Sequence, residues 1–248
     1  VYVAPRTMGD RDPKLDAGQY HMVLLAENEE GYNNLIKLVS MGFTEGFYYK
    51  PRVDIETLRK YSKGIIALSA CLAGAIPENI VNGNYEAAKA AALLYNDVFG
   101  EGNFYLELQD HGIKEQSLVN QEVIRLSRET GIPLVATNDV HYVKKEDAAV
   151  QDILLCIQTG KTVLEEDRLK FQGQEFYLKS QEDMYELFKY IPEALENTEK
   201  IAEKCSLDFS FGQVHLPVFD VPEGYTSDTY IRKLCYDGLE KKYGGITD

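Results

Sequence analysis

Short apolar runs alternate with amphipathic segments along the chain up to residue 160. The runs have the length and composition of buried strands and lie at 20–26, 64–70, 104–109 and 133–138. Each run is followed by a segment with the apolar spacing of a helix, at 31–43, 85–99, 115–130 and 146–159. Four successive strand and helix units predict an α/β fold, in which helices cover a parallel sheet that is either open or closed into a barrel.

The fourth helix and the segments after it complete the predicted architecture. The helix places Ala149, Ile153, Leu154 and Ile157 on one apolar stripe, which we expect to face the core. Further helices are predicted at 181–190, 192–205 and 227–243.

A cluster of chain-breaking residues precedes the last of these helices. Pro217, Pro222 and Gly224 interrupt the periodic pattern. We therefore predict a domain boundary near residue 220, with residues 1–220 in one domain and residues 221–248 beginning another.

Composition limits the class of partner. The chain has 26 Lys and Arg residues and 40 Asp and Glu residues, and the resulting net charge of −14 opposes nonspecific binding to DNA. The 4 cysteines show no C-x-x-C pair and no disulfide-framework spacing, which favours a reducing compartment. No stretch approaches the roughly 20 apolar residues that cross a bilayer. We expect a cytoplasmic protein with no membrane partner and weak direct binding to nucleic acid.

Candidate chemistry gathers where the predicted strands end. Asp139 and His141 follow the fourth strand two residues apart, so in extended geometry both side chains leave the same face and can share a metal ion. The alternative is that Asp139 caps the next helix and His141 is a half-buried surface residue. Cys71 follows the second strand, where its thiolate could join the same cluster or where it could be a small buried apolar residue.

Two further groups flank the end of the third strand, and two histidines lie elsewhere. Glu107 and His111 add a third potential ligand or acid–base group at the same rim. His21 lies at the start of its strand and His215 in an irregular stretch, so position alone argues against both as ligands. No glycine-rich phosphate loop, nucleophile elbow or paired-cysteine motif is present in the sequence. Metal-assisted phosphoester chemistry is the catalytic function that the spacing supports.

Six strings along the chain resemble one family. They are VYVAPR, YHMVLLAENEEGYNNL, ALSACLAGAIP, FYLELQDHG, LVATNDVHY and IPEALENTEKIAEKC. In this order and separation they resemble the polymerase-and-histidinol-phosphatase (PHP) domain of the bacterial DNA polymerase III alpha subunits, the C-family replicative polymerases. The resemblance implies an incomplete, distorted (β/α) barrel of the PHP type with additional C-terminal helices. It also implies that residues 1–220 are the C-terminal portion of the PHP domain and residues 221–248 the start of the polymerase palm.

The resemblance also implies a set of metal ligands. His21, Cys71, Asp139 and His141 fall on the family's ligand positions, which overrules the rejection of His21, whereas His111 is not a ligand and lines the site or is structural. The implied cofactors are divalent ions of zinc, manganese or iron. The family's cluster also uses residues upstream of VYVAPR, so we expect an N-terminally truncated chain with an incomplete site.

The implied function is part of the catalytic subunit of a replicative DNA polymerase, with DNA and replisome subunits as partners of the full-length protein. An intact PHP domain of this kind resembles a metal-dependent 3′–5′ exonuclease. The family's polymerase aspartates lie downstream, so this chain should not itself polymerise DNA. Two alternatives are a non-catalytic scaffold that binds accessory replication subunits and a free-standing phosphoesterase of the same superfamily.

Overall fold

The computed structural model describes residues 1–214 and 216–244. The chain divides into two compact units, Val1–Asp208 and Phe209–Asp248. The first unit holds both sheets and eight of the helices given below, and the second holds the last helix. The boundary predicted near residue 220, between a PHP portion and a palm region, stays a prediction. His215, which its position in the sequence argued against as a ligand, lies outside the described residues.

The strands of the first unit form two sheets. The smaller sheet has the order β2-β1-β4 and contains β1 (Tyr2–Val3), β2 (Tyr20–His21) and β4 (Arg52–Val53). The larger sheet has the order β3-β5-β6-β7 and contains β3 (Val23–Ala26), β5 (Ile65–Leu68), β6 (Phe104–Leu108) and β7 (Leu134–Ala136). Neither sheet closes into a barrel within the described residues. The predicted α/β class with an incomplete barrel is therefore confirmed.

Strand direction in the larger sheet differs from the prediction at one edge. β5, β6 and β7 run parallel, as predicted, but β3 runs antiparallel to β5, with Val23 opposite Leu68. The prediction of a wholly parallel sheet was therefore wrong for β3. Because β3 is reversed, its beginning lies at the same edge of the sheet as the end of β5.

Helices follow most of these strands. Those of the first unit are α1 (Glu29–Thr44), α2 (Ile55–Lys60), α3 (Ala75–Val81), α4 (Tyr85–Phe99), α5 (Lys114–Thr130), α6 (Ala148–Thr159), α7 (Gln181–Phe188) and α8 (Pro192–Lys204). The second unit contains α9 (Ser227–Tyr243). The predicted bounds of α4 and α9 are confirmed, and local signals explain both. Gly100 ends α4 with a positive φ, and the Thr226 side chain caps the first turn of α9.

The central strand β6 is buried along its whole length. Phe104, Leu106 and Leu108 belong to the main core, which α4 and α5 cover, whereas Tyr105 belongs to a second apolar cluster. Alternation along a strand therefore places Glu107 on the face of Tyr105. Because both faces of β6 are covered, a polar side chain on this strand must either lie at the edge of the sheet or have a hydrogen-bond partner inside the protein.

α6 exposes most of the stripe that was predicted to face the core. Ile153, Leu154 and Ile157 are exposed, whereas Leu155 and Cys156 are buried. The prediction of the buried face was therefore wrong. Residues 153–157 are almost continuously apolar, so their periodicity could not select one face. Contacts with the rest of the fold therefore determine which face of α6 is buried.

Arg52 is fully buried and ties the loop before β2 to the smaller sheet. Its guanidinium donates to the carbonyl oxygens of Asp16 (2.7 Å), Asp10 (3.0 Å) and Gly46 (3.3 Å). A guanidinium can satisfy several acceptors at once because its donors spread in a fixed plane.

We predict that Arg52→Lys lowers the free energy of unfolding by about 3 kcal/mol. A single ammonium group cannot reach all three carbonyl oxygens and leaves buried acceptors unpaired. Urea unfolding followed by circular dichroism measures the change. The matched control is Arg59→Lys, because Arg59 makes an exposed ion pair with Asp97 (2.8 Å), and its cost should stay within about 0.5 kcal/mol. Equal losses in the two variants would contradict the prediction.

Candidate functional site

A cavity of about 320 Å³ lies at the sheet edge where β3 begins and β5 ends. Its lining includes His21, Cys71, Gln109 and Asp139, together with Glu107. His21 reaches this edge because it precedes the reversed strand β3. The sequence analysis argued against His21 as a ligand because it lies at the start of a strand, which assumed that all strands run parallel. Because β3 is antiparallel to β5, that argument does not apply.

The side chains of His21 and Cys71, two of the predicted ligands, lie next to each other in the cavity. The imidazole Nδ1 lies 3.6 Å from the thiol Sγ, and the backbone N–H of His21 donates to the carbonyl oxygen of Ala73 (2.9 Å). Burial lowers the pKa of His21 and raises the pKa of Cys71, since a desolvated group resists taking a charge. A neutral imidazole and a thiol that gives up its proton to a metal are both suitable ligand precursors.

The backbone is strained beside two of the cavity's side chains. Ala70, which precedes Cys71, has a φ of 63°, and Asp139 has a φ of 41°. A left-handed conformation costs a residue with a Cβ atom roughly 1–2 kcal/mol. Such strain persists only where the surrounding contacts enforce it, and it is concentrated at functional sites.

Glu107 supplies the contact that holds the Ala70 turn. The side chain is buried, and its Oε2 accepts the N–H of Ala70 (2.7 Å). Its Oε1 accepts from the Thr137 hydroxyl (2.5 Å) and from Gln109 Nε2 (3.0 Å). Burial raises the pKa of Glu107, although these three hydrogen bonds oppose the shift. Glu107, which the sequence offered as a potential ligand or acid–base group, thus joins the ends of β5, β6 and β7.

His111 is buried beside the cavity with both ring nitrogens engaged. Nδ1 lies 2.8 Å from Gln116 Nε2, and Nε2 lies 2.9 Å from the carbonyl oxygen of Asn138. The amide nitrogen can only donate and the carbonyl can only accept, so the ring is neutral and carries its proton on Nε2. The ring also stacks on Phe176. These contacts give His111 a structural role, fixing the turn that precedes Asp139.

His141 is the predicted ligand that does not line the cavity. The side chain is exposed, its Nδ1 lies 2.6 Å from the carbonyl oxygen of Asp139, and its ring contacts Phe171. The positive φ of Asp139 breaks the extended geometry that would have placed both side chains on one face. The structure therefore brings His21, Cys71 and Asp139 to one cavity and leaves His141 outside it.

Sequence reasoning missed two polar residues of this network, Gln109 and Thr137. Gln109 lines the cavity, and Thr137 bonds to Glu107. The available signal was the alternation of Glu107 and Gln109 at the end of β6, which places both side chains on the same face. Thr137 carried no signal of its own.

The donor types fit a divalent metal ion, since imidazole and thiolate suit zinc or iron, and carboxylate and amide oxygens suit manganese. Their positions do not complete a site. Within residues 1–214 and 216–244, no three His, Cys, Asp or Glu side chains lie close enough together to hold an ion. The described chain thus offers the donor chemistry of a metal centre without a full set of ligands.

The fold and the cavity define an α/β protein with polar side chains at the edge of a mixed sheet, and comparison with known proteins identifies the class. Residues 1–111 match the family model of the PHP domain. This match ends at His111 and therefore includes His21, Cys71 and Gln109.

Relatives of known name extend the similarity along the rest of the chain. The chain is 51% identical over 231 residues to the DNA polymerase III subunit alpha of Borreliella burgdorferi, which covers 92% of the chain and 20% of that protein. It is 43% identical to the subunit of Treponema pallidum, covering 100% of the chain and 21% of that protein. For Thermus aquaticus the identity is 40%, over 98% of the chain and 20% of that protein. The chain is therefore homologous to a part of the DNA polymerase III alpha subunit, which confirms the resemblance read from the sequence.

The homology has a limited extent. The chain spans about a fifth of the length of the curated relatives it matches. Among the described residues, no helix is both long and apolar enough to cross a membrane.

We predict that His111 makes the stability of the protein depend on pH. Burial lowers the pKa of His111 in the folded chain, while the unfolded chain takes up a proton near the ordinary histidine pKa of about 6.5. Wild-type stability is therefore retained above pH 6.5 or so and falls as the pH drops towards the lower, folded-state pKa. His111→Gln removes this proton uptake. The stability advantage of the wild type over the variant should shrink by up to about 1 kcal/mol between about pH 7.5 and about pH 5.5. Urea unfolding at both pH values measures it, and parallel pH profiles would contradict the prediction.

Proposed function

We propose that the chain forms part of the catalytic alpha subunit of a bacterial replicative DNA polymerase, and that its cavity contributes to a metal centre of the PHP domain. Homology at 40–51% identity over at least 92% of the chain supports the first part. The second part rests on one observation, the presence of His21, Cys71 and Asp139 around a single cavity. In this role the protein acts in the cytoplasm, where the bacterial chromosome is copied.

The proposed ligands are His21, Cys71, Asp139 and His141. The first three line the cavity, and His141 needs a change at the strained Asp139 turn to join them. Other parts of the polypeptide would complete the cluster. Zinc, manganese and iron ions all suit the mixed nitrogen, sulfur and oxygen donors.

The reaction that suits such a centre is 3′–5′ exonucleolytic hydrolysis, which would remove misincorporated nucleotides. A bound divalent ion supplies an activated water at neutral pH and stabilises charge on the phosphate. This chain's contribution is to hold the ligands, with Glu107 and His111 fixing the turns that carry them. The net charge of −14 opposes binding of the DNA backbone by this chain. Substrate DNA and the replisome subunits would therefore be held by other parts of the full-length protein.

A non-catalytic scaffold is the second candidate. It is favoured by the exposed position of His141 and by the lack of any three convergent ligands among the described residues. In that case the polar network at the strand ends would stabilise a module that supports the polymerase and binds accessory subunits.

We expect Asp139→Asn in the full-length protein to lower exonuclease activity at least tenfold and to reduce bound metal. The amide is a weaker ligand than the carboxylate, while polymerisation depends on residues elsewhere and should persist. A 3′-mismatched primer assay and elemental analysis of the purified protein provide the two measurements.

The matched control is Asp97→Asn, which makes the same chemical change at an exposed carboxylate on α4. It should leave both readouts unchanged. Full exonuclease activity in Asp139→Asn would refute the nuclease proposal. A full-length wild-type protein without bound metal would favour the scaffold.

A further inference from the structure

α6 turns a continuous row of apolar side chains outward. Val150, Ile153, Leu154 and Ile157 have the spacing i, i+3, i+4 and i+7, which places them on one side of a helix. All four side chains are exposed, Ile157 to 72%. These four residues form the α6 stripe. Monomeric proteins rarely leave a contiguous apolar patch of this kind in contact with water, so the stripe calls for a partner surface.

The opposite side of α6 is buried and anchored. Asp152, Leu155 and Cys156 each follow a stripe residue by two positions, which is about 200° round the helix. Leu155 and Cys156 are buried, and the Asp152 carboxylate accepts two hydrogen bonds from the Arg168 guanidinium (2.5 and 2.8 Å). These contacts fix the rotation of the helix about its axis. The stripe is therefore held outward by the fold itself.

The stripe has the chemistry of an anchor for an apolar groove. Helices that dock into such a groove present apolar residues at positions i, i+3, i+4 and i+7. The sole charged residue of α6, Asp152, lies on the opposite side and is paired with Arg168. A surface without charge is characteristic of the centre of an interface, and of permanent interfaces more than of transient ones. The same polypeptide can supply a permanent partner, because a tethered surface is present at a high effective concentration.

The extent of the homology indicates where that partner lies. α6 is outside residues 1–111, which match the PHP domain model, but inside the region that the chain shares with the alpha subunit of Treponema pallidum, which covers 100% of the chain. About four fifths of each alpha subunit lies outside the part that this chain matches. The stripe therefore belongs to a region shared with proteins that contain much additional polypeptide.

We propose that the α6 stripe is a docking surface that inserts into an apolar groove on another part of the full-length alpha subunit. The inference rests on the proposed function, because it takes this chain to be part of such a subunit. α6 begins shortly after the turn that carries Asp139 and His141. Docking at the stripe thus also ties this turn to the remainder of the protein.

The test compares maleimide labelling of Ile157→Cys in the 248-residue chain and in the full-length protein, with peptide mass spectrometry to separate this site from the native cysteines. In the 248-residue chain the new thiol should react at the rate of an exposed cysteine. In the full-length protein it should react about tenfold more slowly or less, because a docked stripe excludes the reagent. Equal rates in the two proteins overturn the inference.

The matched control is Leu118→Cys on α5. Leu118 is also exposed, but it is a single apolar residue whose neighbours one turn away are polar, namely Lys114, Glu115, Gln121 and Glu122. Isolated exposed apolar residues are ordinary in proteins and need no partner. The labelling rate of Leu118→Cys should therefore be the same in both proteins. Equal slowing at positions 118 and 157 overturns the specific role of α6.

A cross-link identifies what covers the stripe. Benzoylphenylalanine in place of Ile157 of the full-length protein should, on irradiation, join to the same polypeptide outside these 248 residues. A cross-link between two copies, or one that forms only to an added replisome subunit, assigns the stripe to a different partner and overturns the inference. Slow labelling of Ile157→Cys already in the 248-residue chain overturns it as well, because the chain would then cover its own stripe.

Primer extension by the full-length protein tests the proposed function separately. Polymerase activity together with fast labelling of Ile157→Cys overturns the docking surface and leaves the proposed function standing. Slow labelling of Ile157→Cys in a protein that does not extend primers supports the docking surface and counts against the polymerase assignment. Neither measurement of the stripe depends on a bound metal ion.

Discussion

A buried carboxylate at the centre of the sheet organises the candidate site. Glu107 lies on a strand that is covered on both faces, where an ionised group is tolerated only with strong partners. Its three donors come from Ala70, Gln109 and Thr137, which lie at the ends of β5, β6 and β7. One side chain thereby sets the turns that lead to Cys71 and Asp139. The left-handed conformation of Ala70 is a consequence of this arrangement, because that turn directs its N–H at the carboxylate.

The reversed strand β3 is the second constraint. In a wholly parallel sheet the start and the end of every strand lie at opposite edges, and His21 would be separated from Cys71 by the length of a strand. The antiparallel pairing of Val23 with Leu68 places His21 at the edge where β5 ends. The 3.6 Å approach of the imidazole to the thiol depends on this reversal. Strand topology and the polar network therefore act on the same group of side chains.

The cavity gathers donor types that suit a metal ion, but no three of them converge among the described residues. The chain corresponds to about a fifth of each alpha subunit that it matches. A metal cluster needs several ligand side chains to converge. Among the described residues the side chains of His21 and Cys71 approach to 3.6 Å, but no three His, Cys, Asp or Glu side chains lie close enough together to hold an ion. The acidic charge fits the proposed function, in which this chain would hold metal ligands and other parts of the full-length protein would hold DNA.

The sequence alone determined the α/β class, the bounds of α4 and α9, and the identity of the family, because these depend on local periodicity, capping residues and characteristic strings. Position in the sequence could not establish the reversal of β3, which depends on long-range pairing, so it placed His21 at the wrong edge. It also could not select the buried face of α6, since Ile153 to Ile157 is almost uniformly apolar. It also could not foresee the positive φ of Asp139, which interrupts the extended backbone on which a shared face for Asp139 and His141 depends. Sequence reasoning also could not assign the hydrogen-bond partners of Gln109, because its amide meets Glu107 and Thr137 only in the tertiary structure.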